Sequence, residues 1–85
     1  MSPSWFPFSH KKRTVRRAAY NNLSGSDEYM TLDEWVAQYN KEPAEDLKPY
    51  ILAEIIWRAR KMKKDKLLQE LKDDIKKYGM SQMLE

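Results

Sequence analysis

The sequence predicts a small all-α domain, and three observations support that prediction. β-branched residues are sparse, with two Val, two Thr and four Ile, whereas the good helix formers Leu, Lys, Glu, Met and Ala dominate. Glycine occurs only at Gly25 and Gly79, and no glycine or proline interrupts residues 50–78. A helix start signal also stands near the middle of the chain. A chain of 85 residues forms one domain at most, so we expect a single helical domain at 10–85. An extended arm at 1–9 is expected to precede it.

The arm and the first helix are distinguished by proline and by apolar spacing. Pro3 and Pro7 disfavour helix in the residues before them, which predicts extended backbone over 1–9. A first helix is predicted at 10–23, where apolar residues recur at helical spacing before Gly25. Its apolar face consists of Val15, Ala18, Ala19 and Leu23. This face is thin, so we expect the helix to lie on other apolar surface.

A second helix is predicted at 31–40. Thr31 can cap its start, and Glu34 three residues later completes a capping box. Met30 and Trp35 have the spacing of a hydrophobic staple. The apolar face that follows consists of Leu32, Trp35, Val36 and Tyr39.

One long C-terminal helix is predicted at about 47–78. Asp46 can cap it, and Pro49 is tolerated in a first turn, where its missing N–H would be unpaired anyway. The uninterrupted stretch ends at Gly79, a natural stop. At 1.5 Å per residue, the stretch 50–78 spans roughly 43 Å, which is more than so short a chain can cover.

The buried face of this helix changes part-way along. A first stripe, Ile51, Leu52, Ile55, Ala59 and Met62, lies on one side. A second stripe, Leu67, Leu68, Leu71, Ile75 and Tyr78, lies roughly opposite. A break near 63–65 would give a hairpin of two shorter helices. Because no Gly, Pro or Asn marks a turn there, we favour a continuous helix, with 63–85 projecting to a partner.

The continuous helix predicts a surface for another chain. Its first half would close a three-helix core, and its second stripe would stay uncovered, as interface residues do. The alternative hairpin would fold that stripe back into a compact monomer. The arm adds large aromatics that can pack within the chain or against a partner. The predicted protein-interface residues are therefore Trp5, Phe6, Phe8, Leu67, Leu68, Leu71, Ile75 and Tyr78.

Charge is segregated along the sequence. Residues 1–25 carry five bases and no acid, 26–48 are strongly acidic, and 49–85 are basic again. Basic ridges of this kind can follow a phosphate backbone. The candidate nucleic-acid-binding residues are Lys11, Lys12, Arg13, Arg16, Arg17, Arg60, Lys61 and Lys64. The alternatives are a solubilising face and, for the first group, pairing with the chain's own acids at 27–34.

Catalytic and metal-binding signals are weak. The only histidine is His10 and there is no cysteine. A nucleophile–base arrangement would therefore need His10, beside the extended arm, to be held rigidly. The phosphate-binding glycine motifs, zinc spacings and EF-hand pattern do not occur. We therefore expect a protein that is not an enzyme and that has no catalytic residue, metal or cofactor.

These features predict a binding protein. We expect a structural subunit of a larger assembly, such as a viral particle, a ribonucleoprotein or an organelle complex, that contacts other chains in a homo- or hetero-oligomer. The alternative is a dimeric nucleic-acid-binding regulator, and a peripheral protein of the membrane surface ranks third. We expect an intracellular location (cytoplasm, virion or organelle interior) rather than secretion, because the chain lacks cysteine and a signal-like start.

Overall fold

The computed structural model describes residues 12–22 and 31–84, which form helices and turns and contain no strand. The helices are α1 (Arg13–Asn22), α2 (Leu32–Lys41), α3 (Lys48–Lys61), α4 (Asp65–Glu70) and α5 (Lys72–Lys77), with 3₁₀ segments at Glu45–Leu47 and Ser81–Leu84. The all-α prediction is therefore confirmed. The predicted arm at 1–9 and the expected stop at Gly25 lie outside the described residues.

Helix α2 begins as its sequence predicts. The Thr31 hydroxyl accepts the Glu34 N–H at 3.3 Å, and the Glu34 carboxylate accepts the Thr31 N–H at 3.3 Å. The capping box is thus confirmed, whereas the Met30 half of the staple lies outside the described residues. Leu32, Trp35 and Tyr39 are buried, so the cap directs a continuous apolar face into the core.

The core is built around α3, which packs most extensively against α2. The first stripe is buried from Ile51 to Ala59, and Ile56 joins it. Trp35 of α2 is fully buried, with the ring of Tyr20 tilted against it at 6.2 Å between centroids. The predicted packing of α1 and α2 against α3 is therefore confirmed, although the core also includes Ile75 of α5.

Helix α1 buries a different face from the predicted one. Its buried residues are Arg16, Ala19 and Tyr20, whereas Ala18 is exposed and Val15 only half-buried. Of the predicted face, Ala19 is confirmed, Ala18 is wrong, and Leu23 lies outside the described residues. The prediction missed the other buried residues because it counted aliphatic residues alone. An arginine with a buried carboxylate partner and a tyrosine with a hydrogen-bonded hydroxyl line the core side instead.

The start of α3 lacks the predicted cap. Leu47 occupies the N-cap position and makes no side-chain cap hydrogen bond, while Asp46 pairs with Arg13. Pro49 does lie in the first turn, where its missing N–H costs nothing. The buried Leu47 side chain, rather than a polar cap, fixes the entry of this helix.

The prediction of one continuous C-terminal helix was wrong, because the chain turns sharply after α3. Lys63 has a φ of 58°, in the left-handed region that favours glycine. The Lys64 N–H donates to the Ala59 carbonyl at 2.7 Å and the Lys63 N–H to the Arg60 carbonyl at 3.2 Å. These two bonds form a Schellman motif, which ends α3 at Lys61 and leaves Met62, the last residue of the first stripe, exposed.

The same motif ends α5, this time with glycine. Gly79 has a φ of 69°, and its N–H donates to the Lys76 carbonyl at 3.1 Å. The Met80 N–H donates to the Ile75 carbonyl at 2.8 Å, while the side chain of Met80 packs on the core. The predicted stop at Gly79 is confirmed. Glycine occupies here, without strain, the left-handed position that Lys63 occupies after α3.

The turn at 62–64 folds α4 and α5 back onto the core. Ile75 is fully buried, and the rest of the second stripe packs partly buried against the same core. Tyr39 of α2 also donates to the Asp74 carboxylate at 2.9 Å. The chain therefore folds back as in the hairpin alternative, although the returning segment is two short helices, α4 and α5, instead of one. The expectations that this stripe is uncovered and that 63–85 projects were wrong. An intermolecular role stays a prediction for Leu67, Leu68, Leu71 and Tyr78. It can no longer be based on an uncovered second stripe.

We expect Lys63→Gly to raise the free energy of unfolding by about 0.5 to 1 kcal/mol. Glycine relieves the left-handed strain at this φ, although it also makes the unfolded chain more flexible. Urea unfolding of both proteins gives the difference. The matched control is Lys64→Gly, whose φ of −88° is an ordinary one, so that glycine there is expected to destabilise. Equal changes in the two variants would contradict the proposed strain.

Candidate functional site

Arg16 lies in a buried ionic network instead of on the surface. Its Nε and Nη2 atoms donate to the two carboxylate oxygens of Glu42, each at 2.9 Å. The same carboxylate accepts the Tyr20 hydroxyl at 2.5 Å and the Ala44 N–H at 2.9 Å. Only 6% of Arg16 and 3% of Glu42 are exposed. Arg16 therefore no longer belongs to the predicted nucleic-acid-binding residues. Its charge is neutralised by Glu42, and its side chain is buried out of reach of a phosphate.

The hydrogen bonds of this network determine how Glu42 titrates. Burial alone would raise the pKa of Glu42, but the hydrogen bonds from Arg16, Tyr20 and Ala44 outweigh it and hold that pKa below its usual range. The hydrogen bond to Glu42 raises the pKa of Arg16 in turn. Burial, together with the bond to Glu42, raises the pKa of Tyr20. The pair therefore stays ionised and the phenol neutral at neutral pH.

Two other predicted cations near the N-terminus, Arg13 and Arg17, also contact residues of the same chain. Arg13 forms an ion pair with Asp46, with both side chains about half exposed. The guanidinium of Arg17 lies 5.4 Å from the centre of the Tyr50 ring. Lys12 is exposed, and Lys11 lies outside the described residues. Pairing with the chain's own acids thus accounts for Arg13 and Arg16, although the partners lie downstream of the predicted 27–34.

A second cationic surface lies at the end of α3, in the segment 60–66 that we call the basic turn. Its five bases are all exposed, and its only acid is Asp65; the bases are Arg60, Lys61, Lys63, Lys64 and Lys66. Lys63, Lys64 and Lys66 form no ion pair with any carboxylate of the described residues. The structure therefore keeps the predicted Arg60, Lys61 and Lys64 together and adds two lysines to them.

Trp57 lies beside the basic turn with 42% of its surface exposed. The Lys61 ammonium is 5.0 Å from the centre of its ring. On the core side, the guanidinium of the buried Arg58 lies 5.4 Å from Trp57 and 4.9 Å from Trp35. Arg58 is itself held by an ion pair with Glu54 at 2.8 Å. The exposed indole is thus anchored by a buried cation and flanked by an exposed one.

A groove of about 490 Å³ opens along this indole. Its lining residues are Ile56, Trp57, Arg60, Lys61 and Met83. Arg60 donates to the main-chain carbonyl of Met83, which ties the C-terminal 3₁₀ segment to α3 and forms one wall. The groove thus combines an apolar floor with a cationic rim.

A smaller groove of about 360 Å³ lies at the other end of α3, beside Tyr20, Tyr50 and the acidic Glu54. Tyr50 and Arg60 are about 15 Å apart along the helix axis, ten residues at 1.5 Å each. The predicted cations therefore form two separate surfaces instead of one ridge. Of the two, the basic turn carries the larger number of exposed bases, five within 60–66.

Comparison with known proteins assigns no family. No family model, no curated protein and no solved structure matches this chain. Among the described residues, no cluster of three or more His, Cys, Asp or Glu side chains is placed to hold a metal ion. No helix in residues 12–22 and 31–84 is long and apolar enough to cross a membrane. The site is therefore interpreted from its own geometry.

Several residues of the site were missed by the sequence analysis. Glu42 appeared only as part of the acidic segment 26–48, and nothing local marks it as the partner of Arg16, 26 positions away. Met83 reaches the groove only because the chain folds back. Lys63 did have a signal, because the apolar phase changes there, but the absence of glycine argued against a turn. The predicted interface residues Trp5, Phe6 and Phe8 lie outside the described residues.

We expect Glu42→Gln to lower the free energy of unfolding at pH 7 by about 3 kcal/mol or more, because it leaves the Arg16 charge buried without a counter-ion. The folded-state pKa of Glu42 lies below the reference value of 4.5. Its stabilisation is therefore present above that value and is lost as the pH falls through the folded-state pKa. Urea unfolding from pH 7 down to about pH 3 should show the two proteins converging.

Two further variants make this pH experiment specific. Glu45→Gln removes an exposed carboxylate paired with Lys77, and its effect at pH 7 should be much smaller. Arg16→Met combined with Glu42→Gln removes both charges and should be more stable than Glu42→Gln alone. A difference between wild type and Glu42→Gln that does not change with pH would contradict the role given to the charge.

Proposed function

We propose that this protein is a non-enzymatic, intracellular nucleic-acid-binding protein that contacts phosphates through the basic turn, next to Trp57. The observation that carries the proposal is the concentration of exposed positive charge at one end of α3. Every base in 60–66 is exposed, and Asp65 is the single acid among them. A polyanion is the partner that this charge pattern complements, since each neutralised phosphate releases condensed counter-ions.

Helix electrostatics explain part of this charge without a ligand. Arg60 and Lys61 stand in the last turn of α3, where cations are favourable against the negative end of the helix dipole. Lys63, Lys64 and Lys66 lie beyond that end, and Lys66 stands in the first helical turn of α4. A cation near a helix start is electrostatically unfavourable, so the dipole does not account for that residue. Binding of an anion does.

The backbone at Lys63 supports the same proposal. Its φ of 58° is one that glycine adopts at no steric cost, and the matching turn after α5 does use glycine. Lysine at this position therefore costs stability and keeps a positive charge at the tip of the turn. Local strain without a local benefit is characteristic of functional positions.

A second candidate function is a structural subunit of a larger assembly, the role expected from the sequence. The observation that favours it is the exposure of Trp57, Met62 and Leu84, with 42%, 54% and 36% of their surfaces accessible. A partner chain that covered them would gain hydrophobic stabilisation. This candidate ranks second because the second stripe, its main support, packs against the chain's own core.

The basic turn is tested by replacing three lysines, Lys63→Gln, Lys64→Gln and Lys66→Gln, in one variant. For the wild type, log–log plots of affinity against salt should have a slope of about −3 to −5 with a labelled poly-thymidine strand or duplex. The variant should bind more weakly, and its slope should be shallower by about 2 to 3 because three phosphate contacts are lost. Fluorescence anisotropy measures both.

The control variant removes the same amount of charge elsewhere. Lys41→Gln, Lys72→Gln and Lys76→Gln change three exposed lysines outside the basic turn and should leave the salt slope close to that of the wild type. Equal losses in the two triple variants would mean that net charge alone drives binding. Such a result, or absence of binding by the wild type at low salt, would contradict the proposed site.

A further inference from the structure

We infer that the groove beside Trp57 binds one unpaired base of a single-stranded nucleic acid, stacked on the indole ring, while the basic turn holds the adjoining phosphates. This inference rests on the proposed function and narrows it from nucleic acid in general to single strands. It adds a base-binding pocket to a surface that otherwise recognises only charge.

The lining of the groove matches the chemistry of a nucleotide. Ile56, Met83 and the Trp57 ring supply apolar surface for the faces of a flat heterocycle. Arg60 and Lys61 stand at its rim, where a phosphate attached to that base would lie. The volume of about 490 Å³ is in the range of sites for small organic ligands. An apolar peptide side chain would fit the floor of the groove, whereas a nucleotide also brings a phosphate to its cationic rim.

The indole is held in place before any ligand arrives. Arg58 is 1% exposed, pairs with Glu54, and lies against both Trp57 and the fully buried Trp35. Trp57 therefore rests on a fixed part of the core, although 42% of its surface faces solvent. A stacking surface that is already ordered loses little conformational entropy on binding.

Lys61 and Arg60 can assist the base in different ways. The Lys61 ammonium now lies 5.0 Å from the ring centre, and this exposed, flexible side chain can move from the ring to a phosphate when a base arrives. Arg60 is held by the Met83 carbonyl, so that it keeps the groove wall in place. The basic turn continues from these residues along the path of the next phosphates.

Base pairing is incompatible with this mode of binding. In a duplex the faces of each base are covered by neighbouring pairs, and only the edges are accessible in the grooves. The Trp57 groove offers an aromatic face and no fixed set of donors and acceptors for base edges. It therefore selects unpaired bases and tolerates any base identity, as stacking sites do.

The test compares Trp57→Ala with the wild type on three labelled probes of equal length: poly-thymidine, an abasic deoxyribose–phosphate strand and a duplex. Loss of one stacked base should weaken binding of poly-thymidine by about 5- to 150-fold. Binding of the abasic strand and of the duplex should stay within about twofold, since both keep their phosphate contacts. Trp57→Phe should restore most of the affinity because it keeps an aromatic face.

Two controls distinguish loss of the stacking contact from loss of the fold and from a contribution of the arm. Circular dichroism and urea unfolding check that each variant keeps the fold. Trp5→Ala removes an aromatic residue of the predicted arm, and it should leave the preference for poly-thymidine over the abasic strand unchanged. If that preference follows Trp5 and not Trp57, the inference is overturned.

The outcomes separate this inference from the proposed function. If Trp57→Ala weakens all three probes alike, or if the wild type binds the abasic strand as tightly as poly-thymidine, the base pocket is overturned while phosphate binding stands. If the wild type binds none of the three probes with the expected salt dependence, the proposed function fails, and this inference fails with it.

Discussion

The buried pairing of Arg16 with Glu42 is the interaction on which the rest of the structure depends. A charge in the core is tolerated only when it is fully partnered, and the carboxylate accepts Arg16 twice, together with Tyr20 and the Ala44 N–H. These bonds hold α1 against the end of α2. They also position the segment that leads into α3. A small domain with few large aliphatic residues thus obtains specificity from one ionic network.

That network also decides which surface remains for binding. It removes Arg16 from the surface, and Asp46 partly neutralises Arg13 nearby. The basic turn instead has five exposed bases within seven consecutive residues, with only Asp65 among them. The sharp reversal at Lys63 returns Met83 to α3 and so forms the groove at Trp57. One turn therefore positions both the charge and the pocket.

The two Schellman motifs have different residues at the left-handed position. After α5 the chain follows the rule: glycine takes the left-handed position, and Met80 makes the accompanying apolar contact. After α3 a lysine takes that position, and Lys64, which corresponds to Met80, is exposed. A protein of this size has a total stability of only about 4 to 13 kcal/mol, so a strained residue is a notable fraction of it.

The sequence by itself determined the elements whose causes are local. The capping box of Thr31 and Glu34, the stop at Gly79 and the helical spacing of Ile51 to Ala59 each depend on residues within a few positions of one another. The tertiary structure alone decided that Arg16 is buried, that the chain reverses at Lys63 and that Met83 reaches Trp57. Those outcomes depend on partners 26 or more residues apart, or on the balance between strain at one residue and burial of the whole second stripe. Apolar burial of that size outweighs a local cost of about 1 to 2 kcal/mol. The change of apolar phase at Lys63 indicated a possible break, but it did not show which of the two effects is larger.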